Sequence, residues 1–368
     1  MGPLHGVRVV EFAGIGPAPF AGMVLADLGA EVLRITRPGV QTLLAEEGAD
    51  LLSSGRAELA LDLKDPAAVE TALRIAERAD ALIDPFRPGV MERNGLGPEA
   101  VLGRHPRLVY ARMTGYGQGG PLAARAGHDI NYISLTGALG ASARKGERPL
   151  FPLNLLGDFG GGGMLLALGV VSAVLHARSS GQGQVLDVAM VDGAALLTTM
   201  IQGLRQAGMW SAVPGTNLLD SGAPFYEVYE TADGGHVAVG ALEPQFHARL
   251  LELLGIPPEE MVQWDRARWP EHRVRLAATF RTRDRDAWAA LFSDEDACVT
   301  PVLGLHEASS HPHARARAGF VPTADGTRER PAPAPRFTRT PAAVPAEPPP
   351  PAEILRRWGV TPEEPRAQ

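Results

Sequence analysis

Val7-Arg8-Val9-Val10-Glu11-Phe12-Ala13, Gly14-Ile15-Gly16, Pro17 to Gly29 and Glu31-Val32-Leu33-Arg34-Ile35 follow one another near the start of the chain. The first and last are short, β-branched runs. Between them a glycine turn leads into apolar residues at helical spacing. Strand, turn, helix and strand in that order make a βαβ unit of Rossmann type. The turn holds half of the dinucleotide fingerprint: Gly14 and Gly16 are present, but Pro19 stands where a third glycine would be. Taken alone, that half does not identify a nicotinamide or flavin site.

The alternation continues downstream. Leu59 to Leu63 reads as a strand ending at Lys64, Val69 to Ala79 as a helix, and Ala81 to Asp84 as a strand entering the loop Pro85-Phe86-Arg87-Pro88-Gly89. Leu108 to Met113 is a further strand, and Gln184 to Met190 another after the turn Gly181-Gln182-Gly183. Strands separated by helices predict an α/β fold with a mostly parallel sheet. The loops at the strand ends carry Arg37, Lys64, Arg87 and Arg93, which suit the phosphates of a nucleotide-like ligand. For any one of them, a solvated charge at a loop end is the commoner case.

Gly193 to Met209 reads as one long helix. From about Gly222 the pattern turns antiparallel. Phe225 to Thr231 and His236 to Ala241 flank the hairpin turn Ala232-Asp233-Gly234-Gly235, and Glu243-Pro244 opens a helix through Leu254. These elements predict a smaller α+β domain. Pro331 to Ala352 is an extended, proline- and alanine-rich connector, and Ile354 to Trp358 a short terminal helix.

The 368 residues suffice for two domains. A formal net charge of −7 argues against a nucleic-acid partner. The single cysteine, Cys298, excludes an intrachain disulfide, and within Ala297 to Val302 it is expected as a small core residue of a strand. His306, His311 and His313 cluster without the cysteine or carboxylate companions of a metal centre, so no metal is expected there. The start lacks a charged n-region followed by an apolar h-region, and Met164 to Leu175 is too short to span a bilayer. The expectation is a cytoplasmic protein with no membrane anchor.

Residues that could carry chemistry gather between Ala126 and Leu175. Ala126-Gly127-His128-Asp129-Ile130-Asn131-Tyr132 is followed by Asn154-Leu155-Leu156-Gly157-Asp158-Phe159, four glycines (Gly160 to Gly163) and an apolar run. Asp158 stands where a helix N-cap would stand, and capping alone would account for it. The glycines cost helix stability, ~1 kcal/mol each against alanine. Bare first-turn N–H groups would favour a negative ligand atom such as an enolate oxygen. A histidine and an aspartate around such a site could transfer protons.

The chain resembles the family III CoA-transferases over nearly its whole length. Val9 to Pro17, Leu25-Ala26-Asp27-Leu28-Gly29-Ala30-Glu31-Val32, Phe86 to Arg93 and Gly181 to Asp187 carry that likeness. Ala126 to Tyr132, Gly157 to Gly162 and Gly240-Ala241-Leu242-Glu243-Pro244-Gln245-Phe246 resemble the family's racemase branch. The resemblance implies a Rossmann-like large domain over 1–190, a linker helix over 191–224, a small α+β domain over 225–310, and a tail over 311–368 that rejoins the first. It also implies an interlocked homodimer.

For function, the resemblance implies 1,1-proton transfer between the (2R) and (2S) forms of a 2-methylacyl-CoA thioester, with His128, Asp158 and Glu243 as catalytic residues. No cofactor would be required, because coenzyme A is part of the substrate. CoA would lie on Ile15, Arg37, Leu61, Asp62, Leu63, Lys64, Pro85, Phe86, Arg87, Arg93, Gly127, His128, Asp129, Ile130, Asn131 and Tyr132. The family's transferases place an aspartate at the position of Asp158 as an acyl-accepting nucleophile, so a CoA-transferase is the alternative enzyme. A non-catalytic CoA-binding protein is the third reading. The chain departs from the family at Ser53-Ser54-Gly55-Arg56-Ala57-Glu58 and at Pro85, where a glycine is usual.

Overall fold

A computed structural model describes residues 1–39, 50–53 and 55–361. Ser54, part of the departing stretch, lies outside them. The described residues form two compact units: those within 1–136, 152–198 and 315–361, and 137–151 with 199–314.

The first unit is built on a six-stranded sheet in the order β3-β2-β1-β4-β5-β6. The strands are β1 (Arg8–Phe12), β2 (Glu31–Thr36), β3 (Ala57–Ala60), β4 (Ala81–Asp84), β5 (Val109–Thr114) and β6 (Gln184–Ala189). Every pairing is parallel. A parallel sheet covered on both faces buries its strands on both sides, and β4 and β5 are wholly buried and mostly apolar, with Asp84, Arg112 and Thr114 as their polar members. Neighbouring residues point to opposite faces. Val9 packs with Ala18, Leu25, Leu166 and Val170, while Val10 joins Leu73, Ile75, Val101, Leu355 and Trp358. Helices Pro17–Asp27 and Leu165–Ser180 thus cover one face, and Pro66–Ala76, Pro98–Arg104 and Pro351–Trp358 the other.

The β3 strand begins and ends earlier than Leu59–Leu63. Its ladder runs from Leu33↔Ala57 to Thr36↔Ala60, so Leu61 to Lys64 form the loop beyond it. The apolar run Met164–Leu175 proves to be part of a continuous 26-residue helix, Leu155–Ser180, long and apolar enough to cross a membrane. Length alone therefore does not exclude a span. What the structure shows is packing: Leu166, Val170, Ala173, Val174 and Ala177 are buried in the core beside β1 and β5.

The second unit holds an antiparallel sheet, β7 (Tyr226–Glu230), β8 (His236–Gly240) and β9 (Val299–Pro301), in that order. Phe225, Tyr229, Leu250, Trp269, Phe280 and Trp288 fill its core. The helix expected over Gly193–Met209 is two helices, Met190–Leu197 and Thr199–Gln206, interrupted at Thr198. Cys298 is not a core residue. It is exposed with φ 51°, while Ala297 and Val299 on either side take the buried positions.

Candidate active site

All six parallel strands end on one edge, and the order reverses between β1 and β4, the place where such sheets receive ligands. A cavity of about 480 Å³ opens there. The loops after β1, β4 and β5 supply Ile15 and Gly16, Pro85 to Pro88, and Gly115 and Tyr116. Arg125 to His128, Tyr132, Asn154, Asp158 and Phe159 complete the wall.

Asp158 sits in a local irregularity. Residues Leu155–Met164 form a π-helix that runs straight into the Leu165–Ser180 helix. Asp158 is therefore within the first turn, not its cap. The cap is Asp129, whose Oδ2 accepts the N–H groups of Gly157 at 2.6 Å and Asp158 at 2.7 Å. Gly160 to Gly163 lie inside the widened turn, where N–H groups bond to carbonyls five residues back and do not face a ligand. Their bareness serves packing. A Cβ on Gly161 would lie 2.6 Å from the Ala194 nitrogen, and one on Gly163 2.7 Å from the Phe20 ring.

The Asp158 carboxyl is half-buried, with Asn154 Nδ2 donating to its Oδ2 at 3.0 Å. Burial raises its pKa above the ordinary aspartate value. The negative charge of Asp129 adds to that rise, while the Asn154 hydrogen bond and His128 oppose it. Gly16, at φ 66°, closes the turn after β1 so near that a Cβ would stand 3.2 Å from Asp158 Oδ2. A side chain there would meet both an unfavourable backbone and the Asp158 carboxyl.

His128 precedes the helix Asp129–Leu135 and its ring is exposed to the cavity. Asn131 Oδ1 accepts the His128 N–H at 3.1 Å, fixing the entry to that helix. Behind it, the Tyr132 hydroxyl donates to the Gly127 carbonyl and its ring meets Tyr116 edge-on at 5.0 Å. Burial, with Tyr116 and Asp158 nearby, pushes the Tyr132 phenol up to about 12, so it stays neutral.

Of the residues expected at the site, Ile15, Pro85, Phe86, Arg87, Gly127, His128, Tyr132 and Asp158 line the cavity. Arg37 and Leu61 to Lys64 follow β2 and β3 on the same sheet edge but outside it, and Arg93 ends the short Val90–Arg93 helix. Asp129 is buried behind the wall, with Ile130 and Asn131 exposed beside it. Glu243 is exposed at the start of the Pro244–Leu254 helix of the second unit.

Arg125, Tyr116 and Asn154 were not singled out by the sequence. Asn154 carried a signal, standing one helical turn before Asp158. Arg87 and Arg125 both face the cavity, and neither is held by a carboxylate among the described residues. Arg56, in the departing stretch, is not free for a phosphate. It is buried against Glu11 and donates to the Pro19 carbonyl at 3.1 Å, while Arg34 approaches the same Glu11 at 3.5 Å.

Residues 4–353 match CoA-transferase family III. The chain belongs to that family. An alpha-methylacyl-CoA racemase of Mus musculus is 48% identical across 98% of this chain and 94% of its own. The protein of the same name from Homo sapiens is 43% identical with the same coverage. Among solved structures, a hypothetical protein of Mycobacterium tuberculosis superposes with a TM-score of 0.80 at 27% identity, covering 95% of this chain and 96% of its own. Family III fixes the α/β fold with its smaller antiparallel sheet. It includes transferases as well as racemases, so membership alone leaves the reaction to the site.

Proposed function

We propose that the protein is an isomerase that racemises 2-methylacyl-CoA thioesters by 1,1-proton transfer. The observation that carries this is a cavity presenting His128 and a half-buried Asp158 from two different elements, with the aspartate pKa raised by burial. Sulfur shares its lone pair poorly with the carbonyl, so the α-hydrogen of a thioester is acidic enough for such groups. One residue removes it from one face of the carbon, and the other delivers a proton to the opposite face. The roles exchange with the direction of reaction. The 48% identity to a racemase supports the same reading.

Arg87 and Arg125 would attract the phosphates of CoA into the cavity, and Arg37 and Lys64 lie along the same sheet edge for a nucleotide-sized ligand. CoA enters as part of the substrate, and no metal or redox group is needed. The alternative within family III uses Asp158 as a nucleophile; what favours proton transfer is His128, a second acid–base group on the same cavity wall. A homodimer belongs to the proposal. Met164, Leu168 and Leu175 are 47%, 60% and 71% exposed on one stripe of the Leu155–Ser180 helix, a surface suited to a second copy.

The test is NMR of a single 2-methylacyl-CoA epimer incubated with the protein in D2O. Racemisation with deuterium at C2 and no acyl transfer to an added carboxylic acid is expected. Transfer to the acid, with hydroxylamine trapping an acyl-Asp158 adduct, would move the assignment to a transferase.

A further inference from the structure

Asp129 follows His128 directly and is 5% exposed. Its Oδ2 takes two donors from the first turn of the π-helix, Gly157 N–H at 2.6 Å and the N–H of Asp158 itself at 2.7 Å. A Cβ on Gly157 would lie 2.6 Å from that oxygen, so the helix end is pressed onto the carboxylate. The other oxygen, Oδ1, is buried without a hydrogen-bond partner among the described residues. A side chain in this position is poorly placed to touch CoA. It is well placed to hold the two halves of the site together.

We infer that Asp129 is a positioning residue, one buried carboxylate that fixes the spacing between the two proton-transfer groups, His128 through the chain and Asp158 through its backbone N–H. This rests on the racemase reading. Without the acceptor, two first-turn N–H groups lose their partner, and the turn carrying Asp158 is free to shift away from the helix that begins after His128. A displacement of about 1 Å in a proton-transfer geometry is enough to cost ~10²-fold in rate. The carboxylate also acts by charge. The groups acting on Asp158 are Asn154 one turn earlier and His128 and Asp129 from another element, while Tyr132, Arg87 and Arg125 line the same cavity. Of these, Asp129 is the carboxylate.

Two substitutions in the full chain separate the roles. Asp129→Ala removes the acceptor; Asp129→Asn keeps an acceptor oxygen of the same reach but no charge. With Asp129→Ala, kcat for epimer conversion is expected to fall roughly 100-fold while KM changes little. Asp129→Asn should recover most of kcat. The limb of its pH–kcat profile governed by Asp158 should move to lower pH, because a negative neighbour that favours the protonated form has gone. If the alanine variant does not fold, as circular dichroism would report, the direction of that limb in the asparagine variant decides alone.

A raised KM with unchanged kcat in both variants would make Asp129 a substrate contact and overturn the inference. So would equal kcat in the two variants with an unmoved pH limb. An inactive wild-type chain would sink the racemase reading and this inference together, whereas an active wild type with unaffected variants would sink the inference alone.

Discussion

Gly193→Ala probes why the glycine run exists. In the Met190–Leu197 helix, a Cβ on Gly193 would stand 1.8 Å from the carbonyl oxygen of Gly161 and 2.5 Å from its carbonyl carbon. Ordinary contact between such atoms needs about 3.5 Å, so the two backbones must part by about 1.7 Å. Overpacking of this kind costs ~1–3 kcal/mol, partly offset by the ~1 kcal/mol that alanine gains over glycine in a helix. Net stability should therefore fall by no more than ~2 kcal/mol. The rate should suffer more, because Gly161 lies on the same π-turn as Asp158, and a shift of that size costs ~10²-fold or more in kcat. Gly203→Ala is the control: nothing lies within 4 Å of its Cβ, so it should stabilise slightly and leave kcat alone. Urea titration followed by circular dichroism, with epimer conversion by NMR, measures both. Wild-type kcat in Gly193→Ala would refute the view that close backbone contact sets the Asp158 turn.

Replacing His128 by Ala should slow racemisation roughly 10²–10⁴-fold while leaving deuterium exchange at C2 of one epimer; near-normal conversion would remove His128 from the mechanism. In the second unit, burial first and His272 second depress His247 to about 4. Its neutral form is native, so the stability it permits is intact above ~6.5 and is lost as pH falls towards 4, about 3 kcal/mol in all. Asp84, raised to about 6 mainly by burial, changes stability in the opposite sense over the same range. The measurement is therefore the difference between wild type and His247→Phe, whose ring can still meet Phe225; a pH-independent difference would refute it. Light scattering should find a dimer, shifted towards monomer by Leu168→Glu with Leu175→Glu. A fully active wild-type monomer would end that proposal.

The sheet was legible because burial on both faces favours short, mostly apolar strands, and the βαβ order then leaves few topologies. The cavity wall was legible where a family pattern named it, from Pro85 to Arg87 and at Gly127, His128 and Tyr132. The same pattern also took in Asp129, Ile130 and Asn131, which lie off the wall. Three features were not. The π-helix has no sequence period of its own, and a glycine run with an aspartate before it reads more simply as a capped helix start. Cys298 lies in an apolar run, but its positive φ turns it outward, and a backbone angle leaves no mark on composition. The 26-residue helix was shortened because four glycines looked like a boundary, when they are where two other helices press closest.

That misreading bears on the chemistry. If the glycines had opened a helix towards the ligand, their N–H groups would have held the enolate oxygen and Asp158 would have been a bystander at the cap. Inside the π-turn the glycines are spent on packing, and the capping is done by Asp129 from another element. Asp158 is thereby released from capping and half-buried, with Asn154 donating to its carboxyl. A carboxyl in that state can be protonated and deprotonated within one catalytic cycle. A nucleophile and a proton carrier can occupy the same position in family III. In the proposed reading what separates them is His128, a second proton-transfer group on the same cavity wall; burial and Asp129 raise the Asp158 pKa, which by itself fits either role.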